Sequence, residues 1–237
     1  PKTVLVKQAM LTKTEQKRLD KVACLEHFAT VQKSTTRIPP YEDGEHNVQS
    51  IVFLRCEMAA GTMAVAETAE LVHKCFPNPT ALLIEAGDCV CVSVALTRKS
   101  QAEQGATVVD RIDSTSAFDP GSPEYADFLG ALAFGRLSQG DLWEYLLDLS
   151  RAVALSRAIG GLGFYSACPA RDRERLIVLT SRYDELGAFV KRLKEQRRSK
   201  DITLNESAKL RMEMKEGERR LRAVADEIKE ICNGRSR

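Results

Sequence analysis

Apolar residues recur at steps of three and four along the last quarter of the chain, with one polar interruption. Such spacing is typical of helices that pack against each other along a seam. The interruption, residues 194–205, is too short for a structured element, so the pattern predicts two antiparallel helices joined as a hairpin. We call residues 169–237 the arm, and its predicted seam comprises Leu176, Leu179, Tyr183, Leu186, Val190, Leu193, Leu210, Met214, Leu221, Val224 and Ile228.

One register keeps the two apolar runs of the arm in phase. It pairs Leu193 with Leu210, Val190 with Met214, Leu186 with Gly217, Tyr183 with Leu221 and Leu179 with Val224. A glycine inside a helix costs about 1 kcal/mol relative to alanine, so we expect Gly217 to admit the side chain or backbone of the facing helix. The seam itself has two interpretations at this stage, which are packing within the protein and docking of a partner.

The first helix is signalled near the start of the chain. Thr12 and Glu15 form a capping-box pattern, which predicts that a helix begins there. We expect this helix to end within residues 34–40, which are rich in turn-forming residues. Its apolar side would consist of Leu19, Val22, Ala23 and Ala29.

Strands and one further helix are predicted over the rest of the first 120 residues. In residues 48–58, both alternating sets of positions contain apolar residues, as in a strand that is covered on both faces. A helix is expected over 61–76. Two strands, over 81–84 and 89–96, form a hairpin with Gly87 and Asp88 in its turn. Residues 107–118 alternate less cleanly and are more polar, which predicts a strand near the edge of the sheet.

Helices follow a proline-rich boundary at residues 119–123. A short helix is predicted through Phe134, and a longer one from about residue 141 to Ile159. The glycines of residues 160–163 resemble a phosphate-binding loop, but they lack the Gly-Lys-Ser/Thr ending and follow a helix instead of a strand. We therefore interpret this glycine cluster as the end of the longer helix.

Together these patterns predict an α+β protein. Its core would be a small mixed sheet of about four strands with packed helices, followed by the arm as a coiled-coil-like antiparallel hairpin. The expected organisation is a sheet domain over residues 1–120, a helical segment packed on it over 121–168, and the arm over 169–237.

The charge of the chain is distributed unevenly. The net charge is +2, yet the residues from Arg171 onward carry 19 Lys/Arg against 13 Asp/Glu, a net of +6. Six of these cations and one acid fall within Lys191–Lys200, at the predicted turn of the hairpin. Such a cluster can contact phosphate or an acidic partner, and it can also be a solvated hairpin turn. The candidate contact residues are Arg192, Lys194, Arg197, Arg198 and Lys200.

Cysteine and histidine spacing predicts no metal or cofactor site. The seven cysteines are odd in number and include no CxxC pair, which favours free thiols in a reducing cytoplasm. The three histidines, His27, His46 and His73, lie far apart and lack metal-binding spacing. No stretch approaches the ~20 apolar residues needed to cross a bilayer, and the first residues show no signal-peptide pattern. We therefore expect a cytoplasmic protein that does not contact a membrane.

A metal-dependent nuclease is the enzymatic alternative. That chemistry needs carboxylates that converge on an ion, usually beside a lysine. The predicted sheet carries four candidate carboxylates, with no lysine at a matching position: Glu85, Asp88, Asp110 and Asp113. No GxSxG motif points to a serine nucleophile. These features favour a protein without catalytic residues of its own, while the nuclease hypothesis stays open.

Four segments together resemble a known family. They are LEHFATVQKSTTRIP at 25–39, HKCFPNPTALLIEA at 73–86, the strand that closes at Ser116-Ala117-Phe118, and LKEQRRSKDITLNESAKLRMEMKEGERRL at 193–221. Their order and spacing are similar to those of the uncharacterised prokaryotic family called domain of unknown function 4391. The resemblance implies no catalytic residue. It implies an association with helicases and DNA methyltransferases encoded nearby, in gene clusters of the restriction and antiphage kind.

These observations lead to one expected function and two alternatives. We expect a non-catalytic accessory subunit that docks on a helicase or DNA methyltransferase of a DNA-targeting defence system. The alternatives are a protein that binds nucleic acid directly through the basic hairpin turn, and the metal-dependent nuclease. A homodimer formed through the arm is compatible with each of them.

Overall fold

A computed structural model describes residues 9–62, 64–103, 105–167, 170–198 and 203–233 of the chain. They form an α+β protein with a mixed sheet and a C-terminal pair of packed helices, as the sequence predicted. The chain divides into two compact units between Val153 and Ala154. We call the first the sheet unit.

The sheet unit alternates strands with short helices. Its elements, in chain order, are α1 (Lys13–Leu19), β1 (Val22–Gln32), α2 (Lys33–Thr36), β2 (Tyr41–Glu42), β3 (Asn47–Val48), β4 (Ser50–Met58), α3 (Val65–Cys75), β5 (Thr80–Ala86), β6 (Cys89–Lys99), β7 (Thr107–Ser114) and α4 (Ala126–Ala131). Turns of 3-10 helix at Pro123–Tyr125 and Phe134–Arg136 flank α4, and α5 (Leu142–Ser156) runs across the division between the units.

Five strands form the main sheet in the order β1-β4-β5-β6-β7. β4 and β5 are parallel because α3 carries the chain back across the sheet between them, and the other neighbours are antiparallel. A separate two-stranded hairpin pairs β2 with β3. The polar strand predicted over 107–118 is the edge strand β7, which ends at Ser114.

The prediction of one helix from Thr12 to about residue 34 was wrong in its second half. α1 ends at Leu19, and the following residues form β1, an eleven-residue edge strand. The register between β1 and β4 shifts twice, between Val22 and Cys24 and between His27 and Ala29. A bulge reverses which face successive side chains occupy. The two bulges therefore disguised the two-residue period that identifies a strand.

The predicted capping box at the start of α1 is confirmed. The hydroxyl of Thr12 accepts a hydrogen bond from the backbone N–H of Glu15 at 3.3 Å, and the Glu15 carboxylate accepts one from the Thr12 N–H at 2.7 Å. Lys74 of α3 donates to the same carboxylate at 2.6 Å. The hydrogen bond from Lys74, followed by those from Thr12, lowers the pKa of Glu15 to about 2.

Helices α1 and α3 contribute to the core on one face of the sheet. The cluster includes Leu54, Cys56, Leu82, Ile84 and Cys91 from the central strands. On the same face, Nε2 of the buried His73 lies 2.9 Å from the hydroxyl of Ser93, which lies 2.8 Å from the hydroxyl of Ser114. Burial lowers the pKa of His73 to about 4, so this chain of hydrogen bonds contains a neutral imidazole near pH 7.

Helix α5 is tied to the opposite face through β7. Ser150 is fully buried and donates a hydrogen bond to the Asp113 carboxylate at 2.5 Å. The guanidinium of Arg111 donates to Ser150 at 3.0 Å and to Asp113 at 2.9 Å. Three polar groups therefore connect the helix to the edge of the sheet.

The second unit contains the end of α5, a short helix and the arm. After Ser156 the chain turns and forms α6 (Ile159–Leu162), a 3-10 turn at Ala170–Asp172, α7 (Arg173–Arg197) and α8 (Leu204–Cys232). Gly163 caps α6 with a φ of 76°, a conformation that favours glycine. Gly161 lies so close to the Tyr183 ring that an added Cβ would fall 2.7 Å from Cε1. The prediction that the glycine cluster ends the longer helix was therefore wrong, because α5 already ends at Ser156 and the first two glycines lie within α6. Gly163 ends α6 instead, and Gly161 admits an aromatic ring.

Candidate interaction surface

Two long helices form the arm. α7 has 25 residues and α8 has 29, which correspond to lengths of about 37 and 43 Å. Thr203 and Glu206 form a capping box at the start of α8, and hydrogen bonds from Thr203 lower the pKa of Glu206. Both helices are rich in charged residues, and no helix in the described part of the chain is apolar enough over sufficient length to cross a bilayer.

The predicted seam residues are all withdrawn from solvent to some degree. Six are buried, namely Leu176, Leu179, Val190, Leu193, Val224 and Ile228. The other five are half-buried, namely Tyr183, Leu186, Leu210, Met214 and Leu221. Because α7 and α8 pack on each other, a partner of the folded arm would contact its outer faces and not the seam.

The register of the hairpin differs from the predicted one at Gly217. A Cβ added there would lie 2.9 Å from Cγ2 of Val190 and 3.5 Å from Cδ1 of Phe189, and these two residues supply its nearest atoms. The glycine therefore faces Val190, about one helical turn from the predicted Leu186. A shift by one turn keeps seam positions facing each other, so the apolar pattern alone could not identify the register.

Charges on the two halves of the arm differ. We define the base as residues 173–189 and 213–233, and the tip as the described residues 190–198 and 203–212. The base contains eight Lys/Arg and nine Asp/Glu, a net of −1, whereas the tip contains seven Lys/Arg and two Asp/Glu, a net of +5. The positive charge of the arm is therefore concentrated at one end.

Ion pairs neutralise several cations of the base. Arg175 of α7 contacts Glu227 of α8 at 2.6 Å. Within α8, Glu216 contacts Arg219 at 2.8 Å and Arg220 at 2.9 Å. Hydrogen bonds from these two arginines lower the pKa of Glu216 to about 2. Because these groups are exposed, such pairs organise the surface and add little stability.

The predicted contact residues at the tip have different surroundings. Lys194 pairs with Glu218 at 3.1 Å, and the guanidinium carbon of Arg192 lies 6.0 Å from the centroid of the Phe189 ring. Arg197 and Arg198 are exposed at the end of α7 and form no ion pair within the described part of the chain. Lys200 lies outside the described residues.

Further tip cations were missed by sequence reasoning. Lys191, Lys209 and Arg211 are also exposed. Lys209 and Arg211 belong to α8, so they join the cluster only when the chain folds back on itself. The sequence pattern was sufficient to identify Lys209 and Arg211, because the predicted hairpin already placed the start of the second helix beside the end of the first.

A line of exposed residues runs along the outside of α7. It comprises Val178, Arg182, Glu185, Phe189 and Arg192, which all fall within a narrow angle at 100° per residue. Val178 is 67% exposed and Phe189 is 37% exposed, and on α8 Met212 is 74% exposed. Sequence reasoning considered only the buried seam and did not identify these apolar side chains.

The carboxylates proposed for the nuclease alternative have different surroundings. Glu85 contacts Arg55 at 2.6 Å, Asp110 contacts Arg98 at 3.1 Å, Asp113 bonds Ser150 and Arg111, and Asp88 lies in the turn between β5 and β6. His27 lies on β1, His73 lies on α3, and His46 lies in the turn between β2 and β3. Within the described ranges, no group of three or more His, Cys, Asp or Glu side chains could hold a metal ion.

Comparison with known proteins identifies a family but no characterised relative. The model of one family matches residues 1–221, which include the sheet unit, all of α7 and α8 as far as Leu221. No curated protein and no solved structure matches the chain. Because the match covers most of its length, the chain belongs to the family described as Domain of unknown function (DUF4391).

Proposed function

We propose that this protein is a non-catalytic accessory subunit that docks on a protein partner through the outer face of its arm. The partner that the family resemblance suggests is a helicase or a DNA methyltransferase of a DNA-targeting defence system. The observation that carries the proposal is the exposed line on α7, because Val178 is 67% exposed and Phe189, whose ring also packs beside Gly217 of α8, keeps 37% of its surface exposed.

The line has the composition of a small protein–protein contact. Interface centres are enriched in aromatic residues and arginine, and polar groups surround them. Val178 and Phe189 lie about 16 Å apart along the helix, with Arg182 and Glu185 between them. A partner helix lying along α7 could cover both apolar side chains and leave the charges at its rim.

A co-purification experiment tests this function. The tagged full chain is co-expressed with the helicase and the methyltransferase encoded beside it, and recovery of each is measured with Val178→Glu. A buried new carboxylate opposes docking, so we expect recovery to fall about tenfold or more.

Ala188→Glu is the matched control for this experiment. Ala188 is exposed on the same helix, about 100° away from Phe189, and receives the same charge. Equal recovery of the partner with Val178→Glu and the unaltered chain would contradict docking through this line. Recovery of neither protein with the unaltered chain would contradict the accessory function.

A further inference from the structure

We propose that the tip of the arm binds the phosphate backbone of DNA without reading its sequence. The inference rests on the proposed function, since it names what the subunit touches besides its protein partner. It is carried by the separation of charge along the arm, in which the base has a net of −1 and the tip a net of +5.

Most cations of the tip are exposed to solvent. Lys194 is neutralised by Glu218, but six other cations of the tip are exposed: Lys191, Arg192, Arg197, Arg198, Lys209 and Arg211. Four of the six are arginines, whose planar guanidinium can bind a phosphate through two parallel hydrogen bonds. This composition matches the phosphate contacts that dominate binding of nucleic acids.

Helix stability explains only part of this cluster. Cations near the C-terminal end of a helix interact favourably with its dipole, which accounts for Lys194, Arg197 and Arg198 on α7. The same argument does not apply to Lys209 and Arg211, because they lie in the N-terminal part of α8. Their presence beside the end of α7 points to an external anion.

Few apolar side chains accompany these cations. Val190 and Leu193 are buried and Leu210 is half-buried, whereas Met212 is 74% exposed. Protein interfaces need an apolar centre and are depleted in lysine. Contacts to phosphate do not need an apolar centre, and lysine can form them. The tip therefore fits a polyanion better than it fits an acidic protein surface.

The width of the tip favours contact with the backbone over contact with bases. Two helices side by side, each about 10 Å across, make a tip about 20 Å wide. The major groove of B-DNA is about 12 Å wide and admits one helix. A hairpin of this width rests across the phosphates, and for that reason we expect no preference among sequences.

A salt titration with matched charge variants tests the inference. Binding of the full chain to a short fluorescein-labelled DNA duplex of mixed sequence is followed by anisotropy. The test variant replaces Arg197, Arg198 and Arg211 by Gln, which are exposed at the tip and lie outside the exposed line of α7. The control replaces Arg175, Arg219 and Arg220 by Gln, which removes the same charge from ion-paired positions of the base.

Loss of the tip arginines should weaken binding about tenfold or more at low salt and reduce the slope of log affinity against log salt by roughly 2 to 3. The control should change both quantities much less. Equal losses in the two variants, or no binding by the unaltered chain, would overturn the inference. Tight binding to polyglutamate in place of DNA would overturn it in favour of an acidic protein.

The two proposals fail in different ways. The tip variant should still recover its helicase or methyltransferase partner, because Arg197, Arg198 and Arg211 lie outside the exposed line of α7. If DNA binding is absent while that recovery persists, only the further inference fails. If recovery fails while DNA binding persists, only the docking proposal does.

Discussion

Polar side chains inside the sheet unit connect one element to the next, whereas those at the tip of the arm are exposed to solvent. In the sheet unit, His73 joins α3 to Ser93 of β6, and Asp113 joins β7 to Ser150 of α5. At the tip, Arg197 and Arg198 form no ion pair within the described residues. The difference separates polar groups that hold a fold from polar groups that are available to a ligand.

The charges of similar residues are therefore compensated to different degrees in the two regions. Arg55 on the exposed part of the sheet contacts Glu26 at 3.2 Å and Glu85 at 2.6 Å, so its charge is compensated by its neighbours. The tip has seven cations and two acids and has no comparable compensation in its own composition. A count of charges shows the excess of cations at the tip, and a comparison of ion-pair partners shows which cations are compensated.

The largest effect expected from this comparison is a loss of sheet stability in acid that depends on His73. Its pKa is about 4 in the folded state, below the ordinary value of 6.5. As the pH falls, the unfolded chain therefore takes up the proton first. The stabilisation is complete above pH 6.5 and is lost between there and pH 4, by about 3 kcal/mol. Denaturant unfolding followed by fluorescence of Trp143, the single tryptophan, measures it in the sheet unit.

Two variants make the His73 experiment specific. His73→Gln removes the titrating group while keeping polar atoms for Ser93, so the dependence on pH between 4 and 6.5 should flatten. His27→Gln is the control, because His27 is exposed and bonds only the nearby Thr30 among the residues described. A pH dependence that persists in His73→Gln would show that other groups control the acid response.

The parts of the fold that were predicted have strong and uninterrupted local patterns. The seam of the arm repeats over two helices of 25 and 29 residues, and β5 and β6 are apolar runs on either side of a Gly-Asp turn. β1 was missed because two bulges interrupt its alternation. Its polar and apolar residues then matched a helical spacing by chance, directly after a genuine helix start.

The candidate surface was only partly predictable for a different reason. The basic run on α7 is contiguous in sequence, so Arg192, Arg197 and Arg198 were identified. Lys209 and Arg211 join the same surface through folding, as does the pairing of Lys194 with Glu218. Exposure of Val178 and Phe189 depends on which side of α7 faces α8, and sequence periodicity does not establish that a remaining apolar residue is uncovered.

A substitution at Gly217 tests the packing of the arm, with the sheet unit as the comparison. Gly217→Leu would place a side chain where even a Cβ lies 2.9 Å from Cγ2 of Val190. We expect destabilisation of the arm by about 2 kcal/mol from overpacking. The loss should appear in helical circular dichroism, and the Trp143 transition of the sheet unit serves as the comparison signal. Unchanged helical melting would contradict the close approach of α7 and α8 at this glycine.

The smallest expected effect comes from the other glycine of the hairpin. Gly187 lies inside α7, and a Cβ added there would meet no atom within 4 Å. Gly187→Ala should therefore stabilise the arm by about 0.5–1 kcal/mol, since alanine loses less backbone entropy in a helix. The same alanine at Gly217 has this gain opposed by its contact with Val190, so the two variants should differ in helical melting temperature. If both alanines stabilise the arm equally, the hairpin can adjust at Gly217, and the register would then be held by the rest of the seam and not by this contact.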